Sequence, residues 1–300
     1  MRHLIAGVLF HCLLTAISSA HALTFRLPEK GDDLVGDLLV VETRYEDTFA
    51  MLARVYGLGF LEMLIANPDI NPWVPGEGTE VTLPLAFVLP PAPREGVVLN
   101  LAEMRLYYYS APDTVLSYPV GIGRQGWATP VTTTRVTGKV ANPSWTPPDS
   151  VRKEHAQRGD ILPPIVPPGP DNPLGAYAIQ LAEPGYFLHG TNDPMGVGMR
   201  VSHGCVRLYD GDIEQLVRRL PKGTQVRIID EPVKAGWHRG ELYLEVHEPL
   251  AEKADTVPDY RAAIENALKE RPGRNTDIDW NKVQEAVRES RGYPVVITSG

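Results

Sequence analysis

Proline and glycine interrupt this chain too often for long helices. Its 300 residues include 28 Pro and 27 Gly. Proline donates no ladder hydrogen bond, and both residues break regular runs, so the fold must be assembled from short strands and ordered loops. Hydrophobic residues make up 43% of the chain, enough for real cores. Runs of residues suited to a pleated surface occupy 96–101, 105–109, 116–120, 131–140, 176–181, 186–189 and 225–229. One helix is obvious among them, at 210–220. The expected fold is mainly β, with a sandwich or barrel-like domain over 96–230.

Nine prolines fall between positions 143 and 173. This stretch predicts a long ordered excursion with one helical turn around 150–157, serving as a lid or binding loop; a structural wrap around the sheet is the competing reading. Upstream, 38–84 predicts a β-α-α-β unit. Leu38 to Val41 reads as a strand, Asp47 or Thr48 caps a helix carrying Phe49, Leu52, Ala53 and Tyr56, a second helix covers 60–66, and 80–84 is a strand. Tyr45, Asp47, Thr48, Ala53, Tyr56, Leu64, Asn67, Gly76 and the Val81-Thr82-Leu83-Pro84 end resemble a LysM domain, a module that binds peptidoglycan glycan. An arbitrary helical hairpin packed on the next domain is the plainer alternative. Leu89-Pro90-Pro91-Ala92-Pro93 reads as a stiff linker. Residues 231–300 predict a small α/β appendage, with a strand at 242–246, helices at 259–268 and 280–290, and no evident chemistry.

The first 22 residues have the form of a secretory signal. Arg2 and His3 precede an apolar run from Leu4 to Ile17, and Ala20-His21-Ala22 supplies an A-x-A cleavage site. The run is short of the roughly 20 residues that span a membrane, and no later run reaches that length. The expected location is therefore the periplasm. Net charge is −8, which argues against a nucleic-acid partner.

The chain holds 2 cysteines, and Cys12 lies in the leader, so Cys205 is the one thiol left after processing. Structural cysteines in an oxidising compartment are usually paired. An unpaired one next to Gly204, with His189 and His203 upstream, fits a nucleophile, although a buried small hydrophobe is the ordinary alternative. A free thiol has a pKa of about 8.5 and needs a base or a positive neighbour. In an extended segment His203 and Cys205 would point the same way, so either histidine qualifies as base. Backbone N–H groups at Gly204 and Cys205 are suited to an oxyanion hole. A zinc site would be short of ligands and lacks C-x-x-C spacing. No metal and no cofactor is expected.

His189-Gly190-Thr191 followed by Ser202-His203-Gly204-Cys205-Val206-Arg207-Leu208 resembles the signature of the L,D-transpeptidases, whose catalytic domain is YkuD-type. Asn142 to Pro148, Pro170 to Gly175 and Asp230 to Lys234 resemble the periplasmic members. The resemblance implies Cys205 as nucleophile and His189 as base, oriented through a backbone carbonyl near Gly190. It implies that His203 shapes the oxyanion hole, with Gly204 and Cys205 N–H as donors. Ser202, Arg207 and Gly190 would line the substrate side, Arg207 holding a carboxylate and Ser202 orienting. A structural Arg207 paired with an acid is the alternative. The implied reaction moves the acyl group of meso-diaminopimelate from a donor tetrapeptide stem, with loss of D-alanine, to an amine. That amine belongs either to diaminopimelate of another stem, giving a 3-3 crosslink, or to a lipoprotein lysine. Acylation of Cys205 by a carbapenem is also implied. A cysteine peptidase acting on wall peptides and a non-catalytic wall-binding protein are the other readings.

Overall fold

The computed structural model describes residues 22–29, 31–270 and 277–299. Apart from Ala22, the expected leader lies outside them. Nine strands form one curled sheet in the spatial order Leu23–Arg26, Thr114–Pro119, Arg105–Ala111, Gly96–Asn100, Gln225–Ile229, Thr132–Ala141, Tyr177–Leu181, Phe187–His189, Val206–Arg207. Neighbours run antiparallel except at two places, where Gly96–Asn100 meets Gln225–Ile229 and where Phe187–His189 meets Val206–Arg207. Gly121 and Arg207 exchange two backbone hydrogen bonds of 2.8 Å. They join the last strand to the end of Thr114–Pro119, so the sheet curls back on itself. The expected barrel-like architecture is what the chain adopts.

The strand Arg105–Ala111 shows why the sheet carries layers on both faces. Its residues 105–109 are all buried. Leu106 and Tyr108 face the inside of the curl, with Val97, Leu99, Leu116, Tyr118, the helix residues Ile213 and Leu216, and Leu220 at the helix end. Tyr107 and Tyr109 face the other way, into a cluster with Val98, Val115, Phe49, Leu52, Met63, Val81 and Leu83. A two-residue period with both phases apolar is the mark of a strand covered on both sides. The inner cover is helix Asp210–Arg219, which fulfils the helix expected at 210–220.

The outer cover is the β-α-α-β unit read from 38–84. Strands Leu39–Glu42 and Glu80–Leu83 pair antiparallel around helices Phe49–Tyr56 and Phe60–Ala66. Thr48 caps the first helix by accepting from the Met51 N–H. The unit is not a separate bead. Arg105, fully buried, reaches out of the sheet to Glu62 Oε1 at 2.5 Å and donates to the Gly57 carbonyl at 2.9 Å. The Tyr209 hydroxyl donates to the Leu58 carbonyl at 3.2 Å. A Cβ at Gly59 or Gly198 would collide with the other glycine's backbone.

The segment 89–93, expected as a stiff spacer, is docked. The Leu89 N–H donates to the Asp33 carbonyl at 2.8 Å, and Leu89 and Pro90 are buried.

Residues 233–299 carry a three-stranded sheet, Val233–His238, Glu241–Val246 and Val295–Val296, with helices Tyr260–Lys269 and Trp280–Glu289. The first of these strands had no clear sequence signal. Lys234 is buried beneath it, with its ammonium on Glu103, on Glu245 at 2.7 Å and on the Val88 carbonyl at 2.7 Å. Three parts of the chain thus converge on one buried cation. Among the described residues no single helix is long and apolar enough to cross a membrane.

The proline-rich excursion joins Thr132–Ala141 to Tyr177–Leu181. Its stem is pinned by paired Trp145 and Val166 backbone bonds of 2.9 and 2.8 Å. Buried Asn172 donates to the Pro143 carbonyl at 2.8 Å. The expected single turn is a helix of nine residues, Asp149–Gln157.

Candidate active site

Leu188 and Val206 point into the core. Alternation then turns His189 and Arg207 to the opposite face, with Cys205 in the turn just before Val206. The parallel register sets Leu188 level with Val206 and His189 level with Arg207. His189 is buried, and its Nδ1 lies 2.6 Å from the Gly190 carbonyl oxygen. A carbonyl only accepts, so Nδ1 carries the proton and Nε2 keeps its lone pair. The carbonyl is held by the next residues: Asp210, at the start of the inner helix, accepts from the Thr191 N–H at 3.0 Å. Burial pushes the His189 pKa down to about 4, against the Gly190 hydrogen bond and helped by the nearby Arg207 charge.

Cys205 is free and half-buried, with Sγ 3.5 Å from the Gly185 carbonyl. Burial raises its pKa above the ordinary thiol value. These shifts favour a neutral imidazole at His189 and a thiol at Cys205.

The extended reading of 203–205 does not hold. Strands Arg200–Ser202 and Val206–Arg207 are separated by a turn, with Gly204 at φ +107°, a region that favours glycine. Tyr186 packs against Gly204. Ser202 Oγ donates to the Cys205 carbonyl at 2.5 Å and accepts from the Gly204 N–H at 3.1 Å. The same bond occupies the Gly204 N–H, one of the two expected oxyanion donors. Thr129 Oγ1 donates to the Gly204 carbonyl at 2.9 Å and accepts from the Gly123 N–H at 3.0 Å.

His203 turns toward the excursion. Its Nε2 lies 2.9 Å from Glu154 Oε2 and 3.1 Å from Arg124 Nη2, and Trp127 meets its ring edge-on at 4.8 Å. Burial lowers its pKa, Glu154 opposing and Arg124 assisting. Arg124, Trp127, Thr129, Glu154 and Tyr186 escaped the sequence reading, because no motif marks them and long loops bring them in.

Arg207 is poorly satisfied. Among the described residues its one acidic neighbour, exposed Asp193, is 3.7 Å away, and its buried Nε has no hydrogen-bond partner. Gly196 leaves room for the guanidinium, which a side chain there would strike.

Among the described residues one cluster has metal-like spacing: Glu103, Glu245 and His247. Lys234 already supplies a cation to both carboxylates, and the cluster joins the C-terminal sheet to the catalytic sheet rather than lying beside Cys205.

A cysteine in the turn before strand Val206–Arg207 and a tautomer-fixed histidine ending the adjoining strand Phe187–His189 suit acyl transfer. Residues 94–228 match the YkuD L,D-transpeptidase catalytic domain family. The chain is 43% identical over 284 residues to the probable L,D-transpeptidase YcfS of Escherichia coli, covering 92% of this chain and 88% of that protein. It is 42% identical over 296 residues to the probable L,D-transpeptidase ErfK/SrfK of the same organism, covering 96% and 95%. The solved catalytic domain of the Enterococcus faecium L,D-transpeptidase acylated by ertapenem is a distant likeness: TM-score 0.35, 20% identity, 45% of this chain and 98% of that one. With relatives above 40% identity matching along nearly its whole length, the chain belongs to the L,D-transpeptidase family.

Proposed function

We propose that the protein catalyses two-step acyl transfer on peptidoglycan stem peptides in the periplasm, after loss of residues 1–22. Cys205 attacks the carbonyl of meso-diaminopimelate in a donor tetrapeptide while His189 Nε2 takes the thiol proton. The S–C bond forms, the C–N bond to D-alanine breaks, and the proton goes to the leaving amine. An acceptor amine then displaces the thiol. The 2.6 Å bond from His189 Nδ1 to the Gly190 carbonyl carries this reading, because it makes Nε2 the base. The Cys205 N–H is the oxyanion donor left to the site, since the Gly204 N–H is held by Ser202. Arg207, short of protein partners, binds a substrate carboxylate.

The acceptor is a diaminopimelate amine of another stem or a lipoprotein lysine. Mass spectrometry of muropeptides after incubation with tetrapeptide-bearing sacculi, with and without a lysine-ended lipoprotein peptide, separates them. Crosslinked dimers or a peptide-tripeptide adduct support transfer. Tripeptides alone would mean that water is the acceptor and the protein a peptidase. No change in the sacculi would leave a wall-binding protein.

The LysM-like unit binds glycan. Its contacts to the catalytic sheet mean that deleting 38–84 would expose Tyr107, Val98 and Arg105 as well, so removal is not a clean test. Substituting the exposed Tyr45 and Trp73 tests it instead. Loss of sacculus pull-down with soluble-peptide turnover intact is expected, and unchanged pull-down would count against glycan binding by this unit.

A further inference from the structure

The excursion delivers one carboxylate to the catalytic turn. Helix Asp149–Gln157 sets Glu154 Oε2 2.9 Å from His203 Nε2. Arg124 Nη2 stands 3.1 Å from the same nitrogen and is ion-paired with Glu154. Arg158, one turn along the helix, pairs with the other Glu154 oxygen. The remaining ring neighbours are Trp127 and, at 6.4 Å between centroids, His155.

A guanidinium only donates, and an ionised carboxylate only accepts. One ring nitrogen therefore cannot bond both. A protonated Nε2 donates to Glu154, whereas a bare Nε2 accepts from Arg124. Glu154 is held ionised, first by the His203 hydrogen bond and then by Arg124 and Arg158. Arg124 already has that carboxylate as its partner. The arrangement that satisfies all three groups puts a proton on His203 Nε2.

We propose that Glu154 is a positioning residue for acyl transfer: it fixes the tautomer and ring plane of His203 and, through His203, the Gly204–Cys205 turn. It also ties the proline-rich excursion to the chemistry, so that the turn is set only when the excursion is seated. The proposal rests on Cys205 as the acyl carrier. Ser202 and Thr129 hold the turn from its backbone side, and Glu154 holds it from the side of the His203 ring. Without Glu154, Nε2 becomes the acceptor for Arg124 and the ring proton moves to Nδ1.

The test is a double-mutant cycle on single-turnover D-alanine release from a soluble tetrapeptide donor, using wild type, E154A, E154Q, H203A and E154A/H203A. Histidine 15N NMR of the free proteins reads the tautomer. E154A should slow release about tenfold or more, and E154Q, whose amide oxygen still accepts from Nε2–H, should recover most of it. In the H203A background the same change should cost less than about twofold. Wild-type His203 should show a protonated Nε2, and E154A a bare one. Wild-type rates in E154A, an equal loss in the H203A background, or an unchanged tautomer would overturn the proposal. A wild-type protein that releases no D-alanine would overturn the transfer reading instead, and the tautomer measurement would still decide the role of Glu154.

Discussion

A neutral Cys205–His189 pair leaves a measurable signature. With burial raising the thiol pKa, the thiol dominates at pH 7, and the thiolate share grows about tenfold per pH unit. With His189 at about 4, its imidazolium share at pH 7 is about one in a thousand. A resting thiolate–imidazolium pair would behave differently, giving a flat, reactive plateau between its two pKa values. The assay is the rate of iodoacetamide alkylation of residues 23–300, in which Cys205 is the one cysteine, followed by intact-protein mass spectrometry from pH 5 to 10. The rate should climb steadily through pH 9 with no acidic plateau. His189→Ala should change alkylation by less than about threefold while D-alanine release falls by about 10² to 10⁴, the span typical of a lost general base. Transfer by the wild type should keep its base until the pH falls toward 4, not 6.5. A plateau from pH 5 to 8 that collapses in His189→Ala would refute the neutral pair.

Lys234→Met should cost about 3–5 kcal/mol in urea denaturation at pH 7, because it strands Glu103 and Glu245 in the interior; a loss under about 1 kcal/mol would contradict the network. Asp212 is buried, neither carboxylate oxygen has a partner among the described residues, and burial lifts its pKa to about 7 against the pull of Arg105. The folded state therefore keeps a proton that the unfolded chain releases from about pH 4. Stability should fall as pH rises from about 4 to about 7, by up to about 4 kcal/mol, and Asp212→Asn should flatten that slope; an unchanged slope would refute it. A carbapenem should add one drug mass to the wild type and none to Cys205→Ser, as seen by intact-protein mass spectrometry; an adduct on the variant would argue against Cys205 as the nucleophile.

Local signals carried much of this fold. The alternation in Leu106-Tyr107-Tyr108-Tyr109 marks a strand with two apolar faces, and Thr48 followed by the Phe49, Leu52, Ala53 spacing marks the first helix. The motif residues His189 and Cys205 flank the paired strands Phe187–His189 and Val206–Arg207, so local sequence was enough to propose them together. Long-range arrangement was less accessible. Position 89–93 has the composition of a spacer, yet the Asp33 carbonyl holds Leu89, and Leu89 and Pro90 are buried. Arg105 and Lys234 look like surface cations in the sequence, and each is buried against acids far away in the chain. The turn at Gly204 removed the symmetry between the two histidines, and Glu154 reached His203 across 49 residues, from a loop whose prolines announced order but not direction.

The most direct measurement of the central claim is intact-protein mass spectrometry after brief mixing with a tetrapeptide donor, with D-alanine counted in parallel. The account predicts a wild-type adduct equal to the donor acyl group without its terminal D-alanine, carried on Cys205, one D-alanine released per enzyme, and neither in Cys205→Ala. Undiminished D-alanine release by Cys205→Ala, or an adduct on another residue, would contradict it.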